Sequence, residues 1–409
     1  MNTPAAPSNN VRLLFYCLRY LMPDEHPVFF FPRVLPLNYR VAVLERLNER
    51  LNDRLVVCSG RPPGGSSLES IIGEEEYAYR QVELPNYWLN GETVHAQPFG
   101  RAFRCHGTPS VVMIEESPRT LTQPFLLAYA KWKGAGRVLW GHFSSNNRPF
   151  RPNQHWQDRY RLWTAHRAEA CVCYTDAMAE LLRPHLPKER LFVARNTLDT
   201  DTLFALYDSL NAEGRVAVRR RLNLPPNAPV LTFIGRLIPE KGTDVLLNVF
   251  DRLRAERPMT LQVIGDGPAR QEMERRVAHD GINDVRFLGA IREWDESAPY
   301  LYASDVMLQP GYLGLSVNHA FSFGVPVVSQ AAPASGERYH SPEAHFVEHG
   351  KNGMLAKHGS LDSLTYAVRR VLTEQDRFSE HARRYARNHL TIGRMVDGLE
   401  ASVRRAERC

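Results

Sequence analysis

At 409 residues the chain is too long for one ordinary hydrophobic core, so two or three domains are expected. Hydrophobic residues make up 43%, which excludes wholesale disorder, and no apolar run approaches the ~18 residues needed to cross a bilayer. A net charge of +6 suits an anionic ligand, a membrane surface or nucleic acid, but no nucleic-acid module signature is present and no nucleic-acid partner is expected.

The chain opens with MNTPAAPSNN, which lacks a basic n-region and an apolar h-region. It is expected to be a short disordered tail (1–10), not a signal peptide. Strands are then expected at VRLLFYCL (11–18), LVVCSG (55–60), SVVMIEE (110–116), RVLWGHF (137–143), ACVCYT (170–175) and RLFVARNT (190–197). Helices are expected over 39–51, 122–133 and 154–167, and RPPGGSSLES (61–70) reads as a Gly/Pro/Ser loop. Six cysteines, at 17, 58, 105, 171, 173 and 409, show no CxxC pair or metal spacing, as in a reducing cytoplasm. The basic, aromatic stretch 147–167 and the arginine-rich C-terminus read as solvated helix faces.

LNLPPNAPV (222–230) is the expected domain boundary, because its prolines precede a fresh strand. Beyond it the pattern is cleaner. VLTFI (230–234), TLQVI (260–264), VRFLG (285–289), DVMLQ (305–309) and VPVVSQ (325–330) alternate with helical patterns. Val245, Leu246, Val249, Phe250 and Leu253 make one apolar helix stripe. Near-continuous apolar strands alternating with helices imply parallel sheets covered on both faces, with ligands outside the carboxyl ends of the strands. Two doubly wound Rossmann-like α/β domains are expected, 11–224 and 225–380. A helical segment, 381–409, can pack back on the first.

The chemistry-bearing motifs sit at those strand ends. FIGRLIPEKG (233–242) delivers Gly235, Arg236 and Lys241 to the mouth of a cleft, where two cations and free N–H groups suit a diphosphate. VIGDGP (263–268) carries Asp266 in a turn, and VRFLGAI ends at Ile291. PGYLGLSVNHAFSFGVPVV (310–328) brackets a turn with Gly311 and Gly314 before a short helix beginning at Leu315 and Ser316. SPEAHFVEHGKNGMLA (341–356) reads as a loop, and LWGHF places His142 just past a first-half strand.

This ordered set resembles the GT-B retaining glycosyltransferases of the glycogen-synthase and sucrose-synthase-like group (glycosyl transferases group 1, family 4). The likeness is strong over 230–356, moderate over 110–201 through EESPR, WGHF, CYTDAM and RNTLD, and weak over the first hundred residues. It implies that Arg236 and Lys241 hold the donor diphosphate and stabilise its leaving-group charge. It implies that Gly314, Leu315 and Ser316 cradle the distal phosphate and sugar. His142 then lies beside the donor sugar, and Ile291 near the nucleobase. The family usually carries two glutamates around the glycine turn, where this chain has Gly311 and His319. His319 can bond a ribose hydroxyl, and Glu343 can replace the sugar carboxylate.

The resemblance implies retaining transfer of a hexose from a UDP-, GDP-, ADP- or dTDP-sugar, without a metal or other cofactor. The acceptor would be a saccharide or lipid-linked hydroxyl compound, in polysaccharide, lipopolysaccharide or glycolipid assembly. The expected location is the cytoplasm, with any membrane contact peripheral and at the inner face. Arg119, Arg148 and Arg151 are candidates for a phosphate-bearing acceptor. A non-catalytic nucleotide-sugar-binding subunit, a phosphorylase and an epimerase remain open, as does the oligomeric state.

Overall fold

The computed structural model describes residues 26–35, 39–64, 66, 70, 72–73, 76–91, 93–145, 148–334 and 340–409. The strand expected at 11–18 lies outside them. Two parallel sheets organise the chain. The first comprises β1 (Val28–Phe31), β2 (Leu55–Ser59), β3 (Arg80–Glu83), β6 (Val111–Glu115), β7 (Gly136–Gly141), β8 (Ala170–Cys173) and β9 (Leu191–Val193). Their order is β3-β2-β1-β6-β7-β8-β9. A hairpin of β4 (Tyr87–Leu89) and β5 (Val94–Ala96) stands apart from it. The second sheet comprises β10 (Val230–Ile234), β11 (Thr260–Ile264), β12 (Val285–Gly289), β13 (Val306–Leu308), β14 (Val327–Gln330) and β15 (Gly353–Ala356), in the order β12-β11-β10-β13-β14-β15.

The apolar runs explain these elements. β1, β2 and β8 are buried along their whole length, as strands covered on both faces must be. Five strands depart from expectation, β1, β3, β4, β5 and β15. β1, VFFF, is an interior strand of the first sheet, between β2 and β6, although Pro27 and Pro32 bracket it closely. The end of the segment 341–356 is a strand, β15, paired with β14.

The expected boundary at 224/225 also moves. Leu198, Leu203, Leu210 and Val218 pack with Val230, Met307, Val317 and Phe321 in the second core. The helices Thr200–Glu213 and Arg215–Arg221 therefore belong to the second half, and the prolines at 225 and 226 mark a turn within that half. The helix Gln375–His389 joins the same core through Ala382 and Ala386. The helix Ile392–Glu407 then returns to the first sheet, with Met395, Val396, Leu399 and Val403 in its core. A Cβ on Gly398 would lie 2.3 Å from the Val193 carbonyl oxygen, so this helix rests directly on β9. The two crossings of the chain are bonded to each other. Thr197 Oγ1 donates to the Leu390 carbonyl at 2.5 Å, and Ile392 N donates to Thr200 Oγ1 at 2.8 Å.

Candidate active site between the two sheets

β10 and β11 run in register from Val230–Thr260 to Ile234–Ile264, so their ends coincide. The loop after β10 carries Gly235, Arg236 and Lys241 and closes in a 3-10 turn, Pro239–Lys241. Gly242 follows in the left-handed region (φ 69°), a conformation that favours glycine, and starts the helix Thr243–Arg254. The helix forms because its apolar stripe, Leu246, Val249, Phe250 and Leu253, is buried against β10 and β11.

This loop packs on the turn after β13, backbone against backbone. Gly311 N donates to the Lys241 carbonyl at 3.0 Å, and Tyr312 N to the Glu240 carbonyl at 2.8 Å. A Cβ on Gly311 would stand 2.2 Å from the Glu240 oxygen. Lys241 Nζ donates to the Tyr312 carbonyl at 2.7 Å and lies 5.0 Å from the Tyr312 ring centre. Burial, with Arg236 nearby, lowers its pKa to about 8, against a smaller opposing pull from Glu343. A Cβ on Gly314 would lie 4.0 Å from Lys241 Nζ and 3.6 Å from Ser341 Oγ. The structure thus brings Lys241, Gly311 and Gly314 together, with Arg236 exposed at the rim of the same loop.

The short helix Ser316–Ser322 follows, with Leu315 as its N-cap. Ser316 Oγ donates to Gln309 Oε1 at 2.8 Å, and Gln309 Nε2 donates to the Tyr312 carbonyl at 2.6 Å. Three residues from this helix start, His319 meets the Trp294 ring edge-on at 4.6 Å. Burial holds its pKa down at about 4, so the ring is neutral near pH 7, and its Nδ1 has no partner. Ile291 is half-buried beyond β12. Asp266 is engaged elsewhere. Its exposed carboxylate accepts from Gly267 N at 2.7 Å and pairs with Arg270 at 3.3 Å, which makes it a turn residue.

Facing this half, His142 follows β7 and meets the Tyr174 ring at 4.9 Å. Burial lowers its pKa, against the pull of Glu343 and Glu115, and its Nδ1 is buried without a partner. Glu343, in the 3-10 turn Pro342–Phe346, is 3% exposed and reaches across to the first half. Its Oε1 accepts from Asn196 Nδ2, whose residue in turn receives Asn318 Nδ2 on its carbonyl at 2.8 Å. Glu343 Oε2 is buried and unpartnered. His345 meets Thr175 Oγ1 at 3.3 Å. Buried polar atoms on both halves therefore lack partners where the halves meet, as in a site shaped for a polyhydroxylated ligand.

The expected acceptor arginines are placed otherwise. Arg148 pairs with Asp158 at 2.5 Å, Arg151 bonds Gln154 at 3.3 Å, and Arg119 is exposed. Of the loops 38–40, 61–70 and 146–151, expected to line the acceptor side, residues 38, 65, 67–69, 146 and 147 lie outside the described residues. Tyr312, Gln309, Asn196 and Ser341 were not singled out in the sequence. Asn196 stands in RNTLD, but its contact with Glu343 spans 147 residues of chain. Among the described residues no cluster of three His, Cys, Asp or Glu side chains suits a metal.

Comparison with known proteins bears on this arrangement. Residues 228–374 match the family model described as Glycosyl transferases group 1. A D-inositol 3-phosphate glycosyltransferase of Geodermatophilus obscurus is 32% identical over 209 residues, covering 48% of this chain and 44% of that protein. The lipopolysaccharide core biosynthesis glycosyltransferase LpsE of Rhizobium meliloti is 26% identical, covering 57% of this chain and 61% of its own. The chain thus spans about half the length of the curated relatives it matches. Among solved structures, Anabaena Alr3699/HepE in complex with UDP superposes with a TM-score of 0.65 at 16% identity, over 91% of this chain and 98% of that one. The catalytic domain of starch synthase IV from Arabidopsis thaliana, bound to ADP and acarbose, gives 0.64 at 14% identity, over 94% and 100%. The fold is GT-B, two Rossmann-like halves, as the sequence led one to expect.

Proposed function

We propose, for a chain whose residues 228–374 match the group 1 glycosyl transferases, that it moves a hexose from a nucleotide-diphosphate donor to a hydroxyl acceptor with retention. The observation that carries this reading is the bond from Lys241 Nζ to the Tyr312 carbonyl, which joins the cationic loop after β10 to the glycine turn after β13. Negative charge grows on the leaving diphosphate as the glycosidic bond breaks. In this reading Arg236, Lys241 and the N–H groups at Leu315 and Ser316 donate to that charge, so they stabilise the transition state more than the ground state. The leaving phosphate can itself take the acceptor's proton. LpsE and the inositol-phosphate enzyme support a place in polysaccharide, lipopolysaccharide or glycolipid assembly. No described helix is long and apolar enough to cross a membrane. Trp132, 73% exposed with Lys133 over its ring, suits a peripheral membrane contact of the first half.

In this reading Glu343 takes the part of the sugar-binding carboxylate, with its unpartnered Oε2 accepting from a donor hydroxyl, and His142 flanks the same sugar. Glu343→Gln keeps the shape and the Asn196 bond. It is expected to leave nucleoside-diphosphate affinity unchanged and to slow sugar transfer about 10–100-fold, the loss of a hydrogen bond to a charged group. Initial rates with saturating donor check this.

The reading is tested by calorimetric titration with UDP, GDP, ADP and dTDP across pH 7 to about 10. In the free protein Lys241 loses its proton near pH 8, and a bound diphosphate favours the protonated form. Affinity for the one accepted nucleotide should therefore be level below that point. It should then weaken by up to about tenfold per pH unit above it, and Lys241→Arg should remove the slope. The same shift affects stability in the opposite sense. The folded state holds fewer protons between about 8 and 10.5, so the cost of this lysine is present below 8 and relieved as pH rises. If none of the four nucleotides bound, the donor assignment would fail. Binding without any turnover would favour the non-catalytic subunit.

A further inference from the structure

Among the described residues, the buried and half-buried cations Arg33, Arg161 and Arg148 near the carboxyl ends of the first sheet are paired with carboxylates of that half. Arg33 bonds Glu115 through its backbone N at 2.8 Å and Nε at 3.1 Å. Arg161 reaches Asp158 at 3.1 Å and Glu116 at 3.3 Å, and Arg148 pairs with Asp158. Arg40 has no such counter-ion among the described residues. It is 8% exposed and stands just before the helix Val41–Arg50, in the connection that follows β1. Its guanidinium lies 4.6 Å from the Trp140 ring, 5.3 Å from Tyr39 and 5.5 Å from Tyr174. Nη2 donates to the Tyr174 hydroxyl at 3.2 Å, while Nη1 is buried with no acceptor.

This cage belongs to the cleft. Tyr174 is the residue whose ring meets His142, and Tyr39 packs against the core of the second half. Glu343 acts electrostatically on both Tyr39 and Tyr174 but makes no bond to Arg40. Aromatic faces offset part of the cost of burying a guanidinium, yet they leave an N–H donor unused. A donor that is buried, charged and unpaired beside a substrate cleft fits a site that the ligand completes.

We propose that Arg40 binds a phosphate group carried by the acceptor, gripping it through Nη1. This rests on the donor reading above, in which Arg236, Lys241 and the glycine turn of the second half take the donor diphosphate. Arg40 projects from the other half, among residues beside the sugar. Arg119, Arg148 and Arg151 are exposed or engaged, so the cage supplies the oxyanion site that those positions do not. The planar fork both stacks on the rings and donates to phosphate, which an ammonium cannot do equally well.

The test is calorimetric, on the full chain with the donor site filled by the nucleoside diphosphate that binds, and again without nucleotide. The probes are glycerol 3-phosphate and glycerol. Wild type should bind glycerol 3-phosphate and not glycerol. Arg40→Gln and Arg40→Lys should each weaken that binding about tenfold or more while leaving nucleotide affinity unchanged. Arg40→Lys keeps a cation in the cage and carries the test if Arg40→Gln unfolds. Sedimentation with phosphatidylcholine vesicles, with and without phosphatidate, separates the sources. Arg40-dependent binding to phosphatidate marks a lipid-borne phosphate, and Arg40-dependent binding of the soluble ester alone marks a sugar phosphate. The proposal is overturned if wild type ignores glycerol 3-phosphate, if Arg40→Gln binds it equally well, or if nucleotide affinity falls with Arg40. Failure of the donor reading shows separately, as loss of nucleotide binding by wild type.

Discussion

Gly311→Ala is expected to abolish nucleotide binding, weakening it about a hundredfold or more, and to lower stability by about 1–3 kcal/mol. The reason is contact, not backbone conformation. The added Cβ would stand 2.2 Å from the Glu240 oxygen, 2.3 Å from the Lys241 carbonyl carbon and 2.6 Å from Gly242 N. All three are backbone atoms and cannot rotate aside. Relief requires the loop after β10 to part from the turn after β13. That movement breaks the bonds from Gly311 N to Lys241 O and from Tyr312 N to Glu240 O, and it carries Lys241 Nζ away from Tyr312. The diphosphate site is made by that junction, so it should go with it. Gly311→Glu should fail in the same way and should not rebuild the carboxylate that the family usually places there. A Gly311→Ala protein that binds nucleotide as wild type does, measured calorimetrically beside a thermal melt, would sink this account of the junction.

The same residue shows what a sequence can and cannot disclose. The R-x4-K loop and the glycine turn were legible because each follows a short apolar run, β10 and β13 respectively. β10, β11 and β12 fall where VLTFI, TLQVI and VRFLG place them. That Gly311 is locked against Glu240 and Lys241 was not legible, since it depends on two loops 70 residues apart meeting through their backbones. VFFF escaped because it is four residues long between prolines, too short for a period to show. The boundary was misplaced because a proline-rich turn into a strand reads the same whether it joins domains or lies within one. The core membership of Leu203, Leu210 and Val218 decides that question, and only packing reveals it. Glu343 was suggested by what the glycine turn lacks. Its partnership with Asn196 spans the two halves, and the Arg40 cage joins distant elements of the first half; no local pattern encodes either.

Lys241→Ala is expected to cut turnover by roughly 2–5 kcal/mol in transition-state free energy, about 30- to 5,000-fold, with little loss of fold. The separation of the two effects follows from the neighbours of the ammonium. It donates to the Tyr312 carbonyl, but that carbonyl also receives Gln309 Nε2 at 2.6 Å and so keeps a partner when the lysine is removed. Tyr312 N remains bonded to Glu240 O and Gly311 N to Lys241 O, because both contacts are to main-chain atoms that alanine retains. Burial already lowers the pKa of Lys241 to about 8, so holding its charge costs the free protein stability near pH 7, and alanine removes that cost. What alanine cannot supply is a fixed cation against the charge that develops on the leaving diphosphate. The loss should therefore fall on kcat as well as on nucleotide affinity, while the thermal melt stays close to wild type. A large drop in melting temperature would instead make Lys241 a structural tie between the two loops. Wild-type turnover in a folded Lys241→Ala protein would remove it from the site altogether.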